Sequence, residues 1–143
     1  MSNPHHRKDA TLIETKALPA ADGSVSSAAF DLGGVGKQDF VAACDLKVTA
    51  PVLTTTELPD ADTMIYKVET SADDSTYVTL YGAVITQTGA GGAGAATTNI
   101  VVPLRGRIDS TSGNLRRYVR VTATGAGTIG DCSGKELTAE LLF

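Results

Sequence analysis

The stretch "TMIYKVETSADDSTYVTLYGAVI", Thr63 to Ile85, decides the fold class. In its first part Met64, Tyr66 and Val68 fall on one side of an extended chain, and Ile65, Lys67 and Glu69 on the other. Strand side chains alternate with period two, so this run predicts a half-buried strand. Ala72, Asp73 and Asp74 follow; Asp side chains bond to nearby backbone and stabilise tight connections. A second extended run then begins at Ser75, and the two together predict a hairpin.

The same pattern recurs toward the C-terminus. In "LRRYVRVT" Leu115, Val119 and Val121 share one face and Arg116, Tyr118 and Arg120 the other, with Arg117 breaking the apolar side. In "KELTAELLF" Leu137, Ala139, Leu141 and Phe143 alternate with Glu136, Thr138 and Glu140, so the chain is expected to end inside a sheet. Further strands are expected at Thr11–Lys16, Val25–Leu32, Phe40–Thr49, Val52–Thr56 and Asn99–Leu104. About eight short strands, Gly-rich turns and scarce helical periodicity predict an all-β chain: an antiparallel β-sandwich or jelly roll. The 143 residues fit one domain, read here as 11–143, preceded by a polar, flexible N-terminal arm over 1–10.

Composition narrows the function. The sequence is 42% hydrophobic and 20% charged, ordinary for a soluble globular domain, and no apolar run is long enough to cross a bilayer. Twelve Lys and Arg against sixteen Asp and Glu give a net charge of −4, which opposes binding to a nucleic-acid backbone. The basic cluster of Arg105, Arg107, Arg116, Arg117 and Arg120 reads as the solvated face of strands rather than an anion site. "MSNPHHRKDATLIE" has no apolar segment after its basic residues, so synthesis in the cytoplasm is expected without a secretory signal.

"GAGGAGAATTNIVVPLRG", Gly89 to Gly106, begins with the spacing G-x-G-x-x-G. A dinucleotide loop needs a strand before it and a helix after it, whose N-terminus receives the pyrophosphate. Here Gly94 is followed by Ala95, Ala96, Thr97, Thr98 and Asn99 and then the β-branched run Ile100–Val102. Asp109 lies about twenty residues on, near the spacing of a ribose-binding acid, but within the turn-like "RIDSTSGN". The stretch therefore reads as a flexible connection between strands, of the kind that contacts a partner. No cofactor is expected.

Other chemistry is thin. His5 and His6 stand in the N-terminal arm with no carboxylate pattern around them, so no metal site is expected. Cys44 and Cys132 form no C-x-x-C pair. A bridge between them would contribute on the order of 4 kcal/mol, but reducing cytoplasm opposes it. Without a histidine beside a nucleophile no catalytic triad is in view. The pairs Asp60 with Asp62 and Asp73 with Asp74 are explained by turn chemistry before calcium binding or glycoside cleavage. A carbohydrate- or receptor-binding sandwich is the rival function. With no Trp and 5% aromatics, its sugar platform would come from Tyr66, Tyr77, Tyr81 or Tyr118. Tyr77 and Tyr81, four apart in one strand, are expected on one face.

Three stretches together, "ALPAADGSVSSAAFDLGG", "YKVETSADDSTYVTL" and "LRRYVRVTATGAGTIGDCSGKELTAELLF", resemble the small β-rich cement, or decoration, proteins of tailed bacteriophage capsids. The resemblance spans most of Leu12–Phe143; the Gly/Ala stretch Gly89–Ala96 has no counterpart in it. It implies a self-associating, jelly-roll-like sandwich, dimeric or trimeric, on the outer capsid surface of a virion. There it would span joints between major capsid protein subunits, and it would have no catalytic residue. The arm, with Pro4, His5, His6, Arg7 and Lys8, and the glycines Gly89, Gly91, Gly92 and Gly94 are the candidate partner contacts. Small residues in the loop allow close backbone approach.

Overall fold

The computed structural model describes residues 12–32, 44–104 and 116–142. The described residues form nine strands: β1 (Ile13–Ala17), β2 (Gly23–Ser26), β3 (Phe30–Asp31), β4 (Asp45–Ala50), β5 (Thr63–Ser71), β6 (Tyr77–Thr88), β7 (Thr98–Pro103), β8 (Tyr118–Ala126) and β9 (Glu136–Leu142). One antiparallel sheet has the order β1-β9-β4-β7; the other runs β2-β8-β5-β6, with β3 also pairing β8. If β2 and β3 are one interrupted strand, the pairs β1 and β2, β4 and β5, β6 and β7, and β8 and β9 are consecutive in the chain and belong to opposite sheets. That order is a jelly roll. The expected antiparallel sandwich is the observed fold.

The alternation read from the sequence explains why the sheets bury one face each. Met64, Tyr66 and Val68 of β5, Val119, Val121 and Ala123 of β8, Leu46, Val48 and Ala50 of β4, and Leu137 and Ala139 of β9 are all fully buried. Burying one such aliphatic side chain contributes about 1.5–3 kcal/mol, so these four central strands supply most of the apolar driving force. The hairpin expected at Asp73 is present between β5 and β6. Asp73 Oδ1 accepts from the backbone N–H of Ser75 at 2.9 Å and of Thr76 at 2.8 Å, and from the Ser71 hydroxyl at 2.8 Å. Asp74 beside it takes a positive φ of 58°, which Asp tolerates better than most residues.

Three expectations need correction. The strand expected over Val25–Leu32 is split between β2 and β3, because the Ser27 hydroxyl accepts the Val121 N–H at 3.1 Å and donates to the Ala28 carbonyl at 2.9 Å. A side chain that satisfies backbone groups locally competes with the ladder. The segment Val52–Thr56 is no strand: Leu53 makes a lone bridge to Ala95, and the chain then turns. There Thr54 N–H donates to Glu57 Oε2 at 2.7 Å and Glu57 N–H reaches Thr54 Oγ1 at 3.4 Å, the reciprocal bonds of a T-x-x-E capping box. The third correction concerns β6. Val68 pairs with Tyr81 but Glu69 with Thr79, so one step along β5 matches two along β6. The extra residue is a β-bulge, and it reverses which face later side chains occupy. Tyr77 and Tyr81 therefore lie on opposite faces.

Candidate functional site

All four connections between those facing strand pairs, residues 18–22, 51–62, 89–97 and 127–135, meet at one end of the sandwich. They are tied to one another through the backbone. Leu53 and Ala95 exchange two bonds of 2.9 Å; Ala61 N–H donates to Gly89 O at 2.9 Å and Gly89 N–H to Asp62 O at 3.0 Å. Gly130 N–H reaches Glu57 O at 3.0 Å, Cys132 N–H reaches Pro19 O at 3.1 Å, and Leu18 N–H reaches Lys135 O at 2.9 Å. Buried backbone groups need such partners, and here each loop finds them on a neighbour.

Carboxylates add a second set of ties. Asp62 Oδ2 accepts from the Thr128 N–H at 3.0 Å and its hydroxyl at 3.1 Å. Asp60 Oδ1 accepts the Gly92 N–H at 2.9 Å, and Asp22 Oδ1 the Ile129 N–H at 3.1 Å. Asp60 and Asp62 thus do bond backbone, as their turn reading expects, but across loops rather than within their own. From beneath, Tyr66 O–H donates to Gln87 Oε1 at 2.9 Å, while Gln87 Nε2 donates to Pro51 O at 2.7 Å and Ala96 O at 2.9 Å. Burial, with the nearby Cys132 adding to it, pushes the Tyr66 phenol well above its ordinary pKa, so it remains a donor.

The glycine stretch is divided by this packing. Gly89 and Gly94 are buried, and a Cβ on either would overlap a backbone carbonyl: Pro59 at Gly89 and Leu53 at Gly94. Gly91 and Gly92 are exposed at the tip with φ of 62° and 67°, and no atom stands where their Cβ would be. The loop expected to be flexible is held at both ends, by Gly89 on Asp62 and by Ala95 on Leu53. It leads into β7 and not into a helix, so the G-x-G-x-x-G spacing has none of the geometry that cradles a pyrophosphate. Pro4, His5, His6, Arg7 and Lys8 lie outside the described residues, as do Arg105, Arg107, Asp109 and Leu115.

The solvent side of the β2-β8-β5-β6 sheet carries a charged network. Glu69, 7% exposed, accepts from Lys67 Nζ at 2.9 Å, Arg120 Nε at 2.8 Å and Thr122 Oγ1 at 2.8 Å. Burial raises its pKa, but the bonds from Lys67, Thr122 and Arg120 outweigh it and hold the carboxyl below its ordinary value. Arg120 also stacks on Tyr77, with Cζ 3.6 Å from the ring centroid, while the Tyr77 hydroxyl bonds Asp74. Arg117 grips Asp31 through Nε and Nη2 at 2.5 and 2.6 Å. Arg117 and Arg120 thus lie on the solvated face, as expected, and there each is paired with a carboxylate. Tyr81 points the other way, and its hydroxyl donates to Pro103 O at 2.6 Å, joining β6 to β7. No Tyr77–Tyr81 sugar platform exists.

No family model matches the chain, and no curated protein does. Among solved structures it is similar to a chain of the cowpea mosaic virus empty virus-like particle, at 12% identity and a TM-score of 0.44, covering 92% of this chain and 78% of that one. A chain of the naturally occurring empty particles of the same virus gives 11% identity and a TM-score of 0.42, covering 92% and 83%. Arabinosyltransferase EmbB from Mycobacterium smegmatis gives 18% identity and a TM-score of 0.35, covering 90% of this chain but 13% of that one. None of these values assigns a family.

Cys44 and Cys132 are both buried and unbridged. Burial, then the charges of Glu57 and Asp131, pushes the Cys132 thiol up to about 11, so it stays protonated and donates to Glu57 O at 3.4 Å. Sequence reasoning missed the roles of Asp22, Gln87 and Thr128, whose partners are remote in the chain. It also passed over Thr54 and Glu57, although their T-x-x-E spacing is a recognisable local signal.

Proposed function

We propose that this chain is a structural virion protein, a capsid cement (decoration) protein. It would bind the outside of a bacteriophage capsid and stabilise contacts between major capsid protein subunits against the pressure of packaged DNA. The observation that carries this reading is the strand order. Three stretches of the sequence resemble the cement family, that resemblance implies a jelly-roll-like sandwich, and the sheets β1-β9-β4-β7 and β2-β8-β5-β6 have that order. In this reading the chain is no enzyme, is made in the host cytoplasm, has one domain over 11–143, and associates with itself and with the major capsid protein.

The loop end supports the reading physically. A surface whose loops are already tied in place loses little conformational freedom on binding, so more of its contact energy appears as affinity. The exposed tip at Gly91 and Gly92 admits a partner backbone closely, and symmetry on a shell multiplies each weak contact into avidity. The arm over 1–10 is the second proposed contact.

The test is to mix the purified protein with capsids that lack it, then measure co-sedimentation and heat resistance. Saturable binding with raised heat resistance is expected, and absence of binding would overturn the reading. Gly91→Asn and Gly92→Asn, in a residue that tolerates positive φ, are expected to lower occupancy while the isolated protein stays folded. Deleting residues 1–10 is expected to lower it as well.

A further inference from the structure

Each of the two sheets has two edges, and a strand at an edge offers unpaired backbone to other chains unless something blunts it. β1 carries Glu14 and Lys16 along its five residues. β2 has only four residues and is cut off from β3. β6 is bulged. β7 is different: its register against β4 runs unbroken from Thr98 to Pro103, it carries no charge, and Ile100 and Val101 are 36% and 47% exposed.

The direction of its free groups follows from the ladder. Leu104 N–H donates to Cys44 O at 3.1 Å, in the same register that pairs Asp45 with Pro103. Directly opposite residues that exchange bonds alternate with those that do not, so Val102, Ile100 and Thr98 bond toward β4. Asn99, Val101 and Pro103 then present their backbone groups to the open side. Pro103 has no N–H there, as expected of proline on an edge, and its carbonyl is taken by Tyr81 at 2.6 Å. Among the described residues, the open portion is Asn99–Val101.

We infer that this edge pairs with the same edge of a second copy, antiparallel and about a two-fold axis through Ile100. In that register Asn99 of each copy exchanges two backbone hydrogen bonds with Val101 of the other, and the two Ile100 residues face each other as a non-bonded pair. The segment is complementary to itself in both its donors and its apolar side chains, which is what an isologous contact requires. It is also uncharged, so two copies of net charge −4 meet where like-charge repulsion is least. The result joins two four-stranded sheets into one of eight. This gives the self-association in the proposed function a surface, and it is tested without capsids, so either reading can fail alone.

Sedimentation velocity over a range of concentrations reads the pairing. The wild-type protein is expected to dimerise. Val101→Glu, whose new carboxylate faces Lys47 across the β4 ladder, should keep the fold by circular dichroism and weaken dimerisation at least tenfold. Val52→Glu, at another exposed valine, should leave it unchanged. Register is read by cysteine: Cα atoms of a non-bonded antiparallel pair are about 4.5 Å apart, within disulfide reach. Ile100→Cys should therefore cross-link to itself on oxidation, while Asn99→Cys should not. A monomeric wild-type protein, a dimer that survives Val101→Glu, or an Ile100→Cys protein that fails to cross-link would each overturn the inference.

Discussion

The loop end and the β7 edge are built from similar material, small and β-branched residues in a Gly- and Ala-rich stretch, yet they handle their backbone in opposite ways. At the loop end the N–H groups of Ala61, Gly89, Gly92, Ala95, Thr128 and Gly130 all find acceptors on another loop. A few residues later Asn99 and Val101 face outward. The first arrangement fixes a shape; the second leaves adhesive groups in place. A protein that must hold one contour while joining to copies and neighbours has use for both.

The largest effect is expected from breaking the tied end. Gly94 combines φ of 69° with a Cβ direction blocked by the Leu53 carbonyl. Gly94→Ala should cost about 3–4 kcal/mol, the sum of left-handed strain and overpacking. Gly91→Ala, in open space at φ 62°, should cost only about 1–2 kcal/mol. Urea unfolding of the two variants measures the difference, and equal losses would mean that the loop ends are not held as described.

The charged face of β5 and β8 tests whether it belongs with the satisfied regions. Removing the acceptor by Glu69→Ala strands Lys67, Arg120 and Thr122, and should cost about 2 kcal/mol. Because the folded carboxyl titrates below its ordinary value, its contribution is fully present above the unfolded pKa of about 4.3. It is lost as pH falls through the lower folded value. Stability measured between pH 5 and pH 2 (roughly the window in which carboxylates titrate) should therefore fall less steeply in Glu69→Gln than in the wild type. Some slope should remain, since Asp73 and Asp131 are also held low, the first by the Thr76 and Ser75 N–H groups and the second by Ser133.

A smaller change of opposite sign is expected inside the core. Thr70 Oγ1 is buried without a hydrogen-bond partner among the described residues. Thr70→Val replaces the hydroxyl by a methyl of similar size and should raise stability by about 1 kcal/mol. The smallest effect belongs to the open edge: Val101→Glu, exposed and opposite Lys47, should change the stability of the isolated chain by about 0.5 kcal/mol or less. A large loss there would show that the edge is structural and not adhesive.

Period-two patterning made the sandwich legible wherever one face of a strand is buried and the other wet, as in Thr63–Ser71 and Glu136–Leu142. The Asp73 turn was legible because its bonds are local. The β6 bulge was not, since one extra residue at Leu80 leaves no composition signal and only the partner strand reveals it. Nor was the break at Ser27, which depends on an N–H from Val121, far along the chain. The loop end was the least legible part: Asp62 to Thr128 spans 66 positions and Asp22 to Ile129 spans 107. G-x-G-x-x-G spacing does not tell which glycines are forced by a neighbouring carbonyl and which are free at a tip.

The most direct test of the whole account is electron cryo-microscopy of capsids decorated with the wild-type protein, at a resolution that traces strands. Ordered density at fixed positions on the outer surface, with the Gly91–Gly92 tip against the major capsid protein, is the expected result. Capsids with no added density, or a bound sandwich whose loop end faces solvent, would contradict it.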